Sequence, residues 1–156
     1  MNETDDFYMR MALEEAHEAE RAGEVPVGAV LVLGGQAIAR GRNRTIADCD
    51  PTAHAEIVAL QAGARAAGNH RLSGATLYAT VEPCAMCAGG IVQARLARLV
   101  YGADDPKGGA VRSCFAVIND PRLNHRMEVT AGVLAEECGG VLQAFFAGRR
   151  QATAEE

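Results

Sequence analysis

Apolar residues recur along the chain with two different periods, and the period changes where glycine, proline or asparagine interrupts it. Over 4–22 the apolar positions follow helical spacing, which predicts an amphipathic helix with Thr4 as its N-cap and Gly23 as its stop. Residues 25–33 and 36–43 have the composition of strands, and the Gly-Gly pair between them is typical of a hairpin turn. The first part of the chain therefore predicts one helix and one β-hairpin.

The rest of the chain alternates between strand patterns and helix patterns. A hairpin followed by such alternation indicates a mixed sheet, here of five strands, covered by helices. No internal repeat, low-complexity segment or linker divides the chain. We therefore expect a single domain over 1–156 with a frayed tail at about 151–156. The remaining predicted helices lie at 53–67, 84–95, 114–118 (short) and 134–151, and the remaining strands at 75–81, 97–103 and 127–133.

Composition restricts the class of protein. The 156 residues are 49% hydrophobic and 22% charged, which is enough apolar surface for a full core. No apolar run approaches the roughly 20 residues of a membrane span, and the acidic start of the chain lacks the order of a signal peptide. The odd count of five cysteines argues against a disulfide framework. We expect a soluble, cytoplasmic protein without a membrane partner, in which the close pair Cys84 and Cys87 serves metal or redox chemistry.

The charge balance bears on the partner. A formal net charge of −5 is a weak argument against a nucleic acid, which usually binds a basic face, although a local basic patch is compatible with a negative total. Lys107 is the only lysine among the 15 basic residues. The others are arginines, which suit bidentate phosphate contacts and stacking.

Two short stretches carry candidate chemistry. In TAHAEIVAL (52–60), His54 and Glu56 are two positions apart, a turn of about 200° on a regular helix, so they should face opposite ways. In VEPCAMC (81–87), Cys84 and Cys87 lie on one face of a helix that Pro83 can start. The partial positive charge at that helix start favours thiolates.

Side chains at the open start of a helix can reach around its end, so His54 and Glu56 can still converge on an object placed beyond it. A zinc ion between two helix starts is such an object, with His54, Cys84 and Cys87 as three ligands and the fourth position left for water. Glu56 would face that position without binding the metal and would move the proton. The order H-x-E then P-C-x-x-C is the known signature of zinc-dependent nucleobase deaminases, and this chain matches it.

Further segments narrow the match. The chain resembles the cytidine/deoxycytidylate deaminase superfamily and, within it, the bacterial tRNA-specific adenosine deaminases, over nearly its whole length. The segments that carry the resemblance are EVPVGAVLV (24–32), GRN (41–43), DPTAHAEI (50–57), TLYATVEPCAMCAGGIVQARLARLVYGA (76–103) and NHRMEVTAGVLAEECGGVLQAFFAGRR (124–150). The resemblance implies a three-layer α/β/α fold, zinc, and conversion of the wobble adenosine of a tRNA anticodon to inosine. It also implies a homodimer whose two subunits share the RNA-binding surface.

The resemblance assigns roles residue by residue. His54, Cys84 and Cys87 would be the zinc ligands, Glu56 the proton shuttle, and Asn43 a hydrogen-bond partner of the flipped base. The 104–113 loop, the NHR segment and the C-terminal helix would contact the anticodon stem-loop; their candidate residues are Lys107, Asn124, His125, Arg149 and Arg150. Each of these outer residues has a local alternative: a strand end for Asn43, a solvated loop for Lys107, a loop staple for Asn124 and His125, and a helix-dipole partner for the two arginines.

Two other functions stay open at the level of sequence. The same zinc site would serve a deaminase of a free base or nucleoside of the guanine or cytosine type. A structural zinc site or a thiol-redox module is a different class, for which Cys49 is the nearest spare ligand. That third interpretation gives Glu56 no role.

Overall fold

The computed structural model describes residues 2–155, with only the backbone described over 153–155. Within the described part, five strands form one mixed sheet with helices on both faces. The elements are α1 (Glu3–Arg21), β1 (Gly28–Leu33), β2 (Gln36–Arg42), α2 (Ala55–Ala67), β3 (Thr76–Val81), α3 (Ala85–Gln93), β4 (Arg98–Ala103), β5 (Glu128–Thr130) and α4 (Ala135–Glu155). None of these helices has the combination of length and apolar character that crossing a membrane requires.

The strand order in the sheet is β2-β1-β3-β4-β5. β1 pairs antiparallel with β2 and with β3, whereas β3, β4 and β5 run parallel to one another. The predicted mixed five-stranded sheet is therefore confirmed. Because β3 and β4 are parallel, the segments that follow them, with Pro83-Cys84 after β3 and the 104–113 loop after β4, leave the same edge of the sheet.

The two faces of the sheet carry separate cores, which confirms the three-layer arrangement. α1 and α4 cover one face around Met9, Leu13, Val30 and Val100. α2 and α3 cover the other face over a larger core that includes Leu31, Leu77, Ile91 and Leu99. Alternate residues of β1 and β4 thus point to opposite layers, as the period of a strand requires.

A buried ion pair fastens α1 to the sheet. The carboxylate of Asp5 is 2% exposed and accepts hydrogen bonds from the Tyr78 hydroxyl at 2.7 Å and from the Arg98 guanidinium at 2.8 and 2.7 Å. The same guanidinium donates to the Thr130 hydroxyl on β5 at 2.8 Å. The hydrogen bonds from Arg98 lower the pKa of Asp5. Burial acts in the opposite direction, but its effect is smaller. This cluster lies on the α1 face, away from the predicted zinc ligands.

The start of α2 rests directly on β2. A Cβ added at Gly41 would overlap the carbonyl oxygen of Ala55 and the backbone of Ala59. Only glycine permits this approach, so Gly41 sets how close the first turn of α2 comes to the sheet.

Two predictions about helices were wrong. Asn2, and not Thr4, is the N-cap of α1: its side-chain oxygen accepts from the N–H groups of Thr4 and Asp5 at 3.0 and 3.2 Å. The short helix at 114–118 is absent and the segment is irregular. Its N–H groups are used elsewhere, since those of Cys114 and Phe115 both bond the carbonyl oxygen of Gly109.

The C-terminal elements differ in length from the prediction. The last strand spans only Glu128–Thr130, because Gly132 and Leu134 have φ values of 83° and 51° that a strand does not accommodate. α4 continues to Glu155, past the predicted end at 151. The frayed tail stays a prediction, and its last residue, Glu156, lies outside the described residues.

Candidate active site

Two helices of the same layer begin next to one another, and each begins at a predicted metal ligand. His54 is the N-cap of α2 and Cys84 is the N-cap of α3, so the helices start at Ala55 and Ala85, two positions and one position later than predicted. Both have extended backbones, with φ and ψ of −74° and 154° for His54 and −73° and 176° for Cys84. Neither side chain caps its own helix. Both are therefore available to a ligand placed between the helix starts.

The three predicted ligand atoms converge. His54 Nδ1 lies 3.6 Å from Cys84 Sγ and 3.5 Å from Cys87 Sγ, and all three atoms lie within 4.8 Å of one another. Tetrahedral zinc with ordinary bond lengths separates a nitrogen and a sulfur ligand by about 3.6 Å. The group therefore has the donor types and spacing for zinc. Cys49, the thiol considered as a fourth ligand, is exposed and does not belong to the group.

One of the three ligand side chains is ionised as a thiolate at neutral pH. Hydrogen bonds from Cys87 and from His54 lower the pKa of Cys84 to about 3. The contact with Cys84, followed by burial, raises the pKa of Cys87, and the hydrogen bond to Cys84 raises the pKa of His54. Cys84 is thus the thiolate of the group, and metal binding would displace the proton of Cys87.

Glu56 lies in the first turn of α2 and is 3% exposed. Burial raises the pKa of its carboxyl group to about 7. It lines the same pocket as His54 and Cys84, yet it does not belong to the three-residue ligand group. His54 and Glu56 thus line one pocket although they are two positions apart, because both lie at the N-terminal end of α2.

Asn43 follows β2 and holds the start of α2. Its Oδ1 accepts a hydrogen bond from the N–H of Ala55 at 2.8 Å, which satisfies a donor that the uncapped helix would otherwise leave open. Asn43 also lines the pocket. Its oxygen already accepts one hydrogen bond from the helix, and its –NH2 group, which only donates, is the end that Asn43 can turn to a ligand without giving up that bond.

The active-site pocket is a cavity of about 240 Å³, lined by Val25, Val27, Asn43, His54, Glu56, Val81, Glu82, Cys84 and Asp105. A larger cleft of about 410 Å³ adjoins it and shares Val25, Val27, Val81 and Asp105. The far side of this adjoining cleft is formed by the 104–107 segment and by α4, including Lys107, Leu142 and Phe146. Three valines and one aspartate therefore lie where the cleft meets the pocket.

Sequence reasoning missed two buried glutamates that hold the loops around the pocket. Glu24, 2% exposed, accepts from the N–H groups of Ile46 and Ala47 at 3.2 and 2.8 Å. Glu82, 1% exposed, accepts from backbone N–H groups between 105 and 113. Burial alone would raise the pKa of Glu82, but these hydrogen bonds outweigh it and lower the pKa to about 2. Their positions in the sequence could have indicated them, because each glutamate is directly next to a predicted strand, at the end of the strand nearest the site.

The predicted RNA contacts outside the pocket lie at several places. Lys107 is exposed and lines the adjoining cleft. Asn124 is exposed. His125 Nε2 lies 2.6 Å from the carbonyl oxygen of Leu96, so the ring secures this loop to the start of β4. The loop-staple alternative thus has a direct contact for His125.

The arginine pair lies near the end of α4. Arg149 donates to the carbonyl oxygen of Gly23 at 2.9 Å, and its guanidinium carbon lies 4.7 Å from the centre of the Phe145 ring. Arg150 is exposed. Neither arginine lines the pocket or the adjoining cleft. A contact of either with RNA stays a prediction.

The chain matches known deaminases over most of its length. The family model described as MafB19-like deaminase matches residues 3–150. The chain is 53% identical to the tRNA-specific adenosine deaminase of Haemophilus influenzae over 151 residues, which cover 96% of this chain and 87% of that protein. It is similar, with a TM-score of 0.85 and 48% identity over 87% of this chain and 99% of the other, to a solved structure from work on A-to-I editing by tRNA:A34 deaminases at the wobble position of transfer RNA. A guanine deaminase from Bacillus subtilis is less similar, with a TM-score of 0.63 and 32% identity over 96% of this chain and 95% of the other.

Proposed function

Because the chain belongs to the MafB19-like deaminase family and to the tRNA-specific adenosine deaminases, we propose that it converts the wobble adenosine of a tRNA anticodon to inosine by zinc-dependent hydrolytic deamination. The membership confirms the family that the motifs indicated. The observation that carries the mechanism is the convergence of three ligand atoms at tetrahedral spacing, with Glu56 buried beside them in the same pocket.

His54 through Nδ1 and the sulfurs of Cys84 and Cys87 would hold the zinc ion. When bound in such a site, zinc acts as a Lewis acid that lowers the pKa of water from 15.7 to roughly 7. The chain supplies three ligands of the types that catalytic zinc uses, and this leaves room for the reacting molecules. The donor set therefore fits a catalytic site better than a closed structural one.

Glu56 would move the proton. In the reaction, a bond forms between the oxygen of water and C6 of adenine, and the bond between C6 and the exocyclic nitrogen breaks. Glu56 accepts a proton from the attacking water and delivers it to the leaving nitrogen, which departs as ammonia, so that the carboxylate is regenerated. One water is consumed and one ammonia is released. The buried position of Glu56 keeps this proton from exchanging with bulk solvent.

Asn43 would orient the base. Its –NH2 group can donate to an acceptor atom of the purine, while its oxygen keeps the start of α2, and with it His54, in place. Val25, Val27 and Val81 form the apolar part of the pocket, which suits the flat faces of a purine. One residue thereby fixes the distance between the base and the zinc ligands.

An unpaired anticodon loop is a reasonable substrate for this pocket. Flipping a base out of a duplex costs a few kcal/mol, and the cost is least where the base is already single-stranded. The adjoining cleft gives neighbouring nucleotides a place beside the reacting one, with Lys107 at its edge. We keep Asn124, His125, Arg149 and Arg150 as proposed contacts farther along the RNA.

We also propose, from the family resemblance, that the enzyme is a homodimer that acts in the cytoplasm, where its substrate is found. The mass in solution tests the dimer: light scattering should give twice the 16.4 kDa of the single chain. A mass of 16.4 kDa at micromolar concentration would contradict it.

The experiment that tests the proposed function measures inosine and ammonia formed from a short anticodon stem-loop with adenosine at the wobble position. Free adenine, guanine, cytosine and cytidine are run beside it, and the Glu56→Ala protein is the matched control. Turnover of the stem-loop alone, at a rate that falls as salt is added, is the expected result because phosphate contacts release counterions. Turnover of a free base without turnover of the stem-loop would leave the zinc chemistry in place and reject the tRNA substrate.

A further inference from the structure

Glu82 is the residue between β3 and the Pro83-Cys84 segment, and its carboxylate is the acceptor for a whole loop. The side chain is 1% exposed. Oε1 accepts from the N–H of Asp105 at 3.1 Å and from the Ser113 hydroxyl. Oε2 accepts from the N–H groups of Val111, Arg112 and Ser113 at 3.0, 2.8 and 3.0 Å. Five donors from one loop therefore meet one carboxylate.

The loop that Glu82 holds, residues 104–115, contains no helix or strand. Its middle is tied to the segment that carries the zinc ligand. Ala110 donates its N–H to the carbonyl oxygen of Pro83 at 2.8 Å, and Gly109 forms an isolated β-bridge with Cys84. A Cβ at Gly109 would overlap the carboxyl group of Glu82, so the loop lies directly on that group. The position of the loop thus depends on Glu82.

The same loop forms one wall of the space where substrate would bind. Asp105 lines both the active-site pocket and the adjoining cleft, and Pro106 and Lys107 line the cleft. The N–H of Asp105 donates to Glu82, so this hydrogen bond holds the loop at the residue where the wall begins. Removing the carboxylate would leave five donors without their acceptor and allow the wall to move. The helices α2 and α3, which position His54, Glu56, Cys84 and Cys87, would stay in place.

We propose that Glu82 is a positioning residue that fixes the 104–115 loop as the wall of the adjoining cleft, and so controls the binding of the nucleotides that flank the reacting base. The inference rests on the proposed function, because the cleft has this role only if the substrate extends beyond one base. Glu82 lines the active-site pocket, but the loop occupies its oxygens, so its carboxylate acts on the substrate through the loop. Its effect on the reaction is therefore expected in binding and not in the chemical step.

Glu82→Gln tests the inference. It keeps the shape of the side chain but replaces one acceptor oxygen with an –NH2 group, which is itself a donor and faces the N–H groups of the loop. We expect KM for the stem-loop to rise by about 10-fold, which corresponds to a loss of about 1.4 kcal/mol of binding free energy. We expect kcat to change by less than about threefold, as for an interaction made equally in the ground and transition states. Zinc content should stay at the wild-type level. Hydrogen exchange of the 105–115 amides should become faster.

Two further variants keep the test decisive. Ser113→Ala removes one of the five donors and should raise KM in the same direction by a smaller factor, even if Glu82→Gln folds poorly. Asp5→Asn removes a buried, hydrogen-bonded carboxylate on the opposite face of the sheet and controls for a general loss of stability. It should lower the melting temperature without changing KM. A KM that follows the melting temperature across the three variants would overturn the inference.

The other outcomes separate this inference from the function on which it rests. An unchanged KM in both Glu82→Gln and Ser113→Ala, with wild-type protein active on the stem-loop, overturns the role of Glu82 alone. A fall in kcat at constant KM, or a loss of zinc, also overturns it, because Glu82 would then act on the chemistry or on Cys84. Wild-type protein that leaves the stem-loop unreacted overturns the proposed function, and the role of Glu82 in RNA binding falls with it.

Discussion

Replacing Asn43 with aspartate and with alanine should affect stability and activity in opposite orders. In the structure the side chain has two ends with separate tasks. Oδ1 accepts from the N–H of Ala55 at 2.8 Å and holds the start of α2, and the –NH2 group is the donor proposed for the base. Aspartate keeps the acceptor and loses the donor, whereas alanine loses both.

The stability effect can be worked from the capping bond. Alanine in place of a side chain that caps a helix costs roughly 0.5–2 kcal/mol, typically about 1. For a domain of this size, each 1 kcal/mol lowers the melting temperature by about 2–4 °C. Aspartate keeps the bond and adds negative charge at a helix N-terminus, which favours folding by about 0.3–1 kcal/mol. Asn43→Asp should therefore melt no lower than the wild type, and Asn43→Ala about 2–4 °C lower.

The activity effect has the reverse order. A neutral hydrogen bond contributes about 0.5–1.5 kcal/mol, so Asn43→Ala should lose about 2-fold to 10-fold in kcat/KM for the stem-loop. Asn43→Asp should lose more, because its carboxylate would face an acceptor atom of the base with no donor between them. The expected ranking is wild type above alanine above aspartate.

The assay combines calorimetry of the zinc-loaded proteins with kcat/KM at low concentrations of stem-loop. If Asn43→Asp kept wild-type kcat/KM, Asn43 would not donate to the substrate. If Asn43→Ala kept the wild-type melting temperature, the bond to Ala55 would not hold α2. A fall in both quantities for both variants, in the same order, would also refute the division of tasks.

Three other outcomes are expected. Glu56→Ala should keep zinc and fold but lose about 10²–10⁴-fold in kcat, because the proton carrier is absent; a zinc content at background in this variant would make Glu56 a ligand. Cys87→Ala should lose bound zinc, and its melting temperature should fall by more than about 4 °C, since metal binding is linked to folding; unchanged metal content would contradict the ligand assignment. The hydrogen bonds from Arg98 lower the pKa of Asp5, so its stabilising effect is complete above the unfolded pKa of about 3.9 and is lost as pH falls through the folded value. The melting temperature of the wild type should therefore drop more steeply below about pH 4 than that of Asp5→Asn, and parallel curves would reject this assignment.

The convergence of His54, Cys84 and Cys87 in one group could be predicted from the sequence because the motifs that contain them are local and unusual. The side chains of His54 and Glu56 can converge only at the start of a helix. Pro83 marks the start of the next helix, four residues before Cys87. The sheet was predictable for a similar reason, since β1, β3 and β4 are mainly apolar runs and the Gly-Gly turn pairs β2 with β1. Both predictions depend on neighbours within a few positions along the chain.

The parts that sequence reasoning missed depend on distant neighbours. The donors to Glu82 are 23 to 31 positions away, and nothing in the sequence around VEP shows them. The same donors explain the wrong helix at 114–118: N–H groups that enter this segment bond Glu82 or the carbonyl of Gly109 and not the preceding turn. The N-cap of α1 was misplaced because Asn2 and Thr4 are both good caps, and local propensity does not choose between them.

The separation of the ligands along the chain has a consequence for the order of folding. His54 precedes Cys84 by 30 positions and Cys87 by 33, and β3 lies between them. The proposed three-ligand site is complete only after α2 and α3 have both packed on the sheet, and we expect this step to come late in folding because it joins segments that are distant along the chain. An interaction that forms after the transition state slows unfolding and leaves the folding rate unchanged. Bound zinc should therefore slow unfolding. Removing the metal should raise the unfolding rate, while the refolding rate in the presence of a chelator should stay the same.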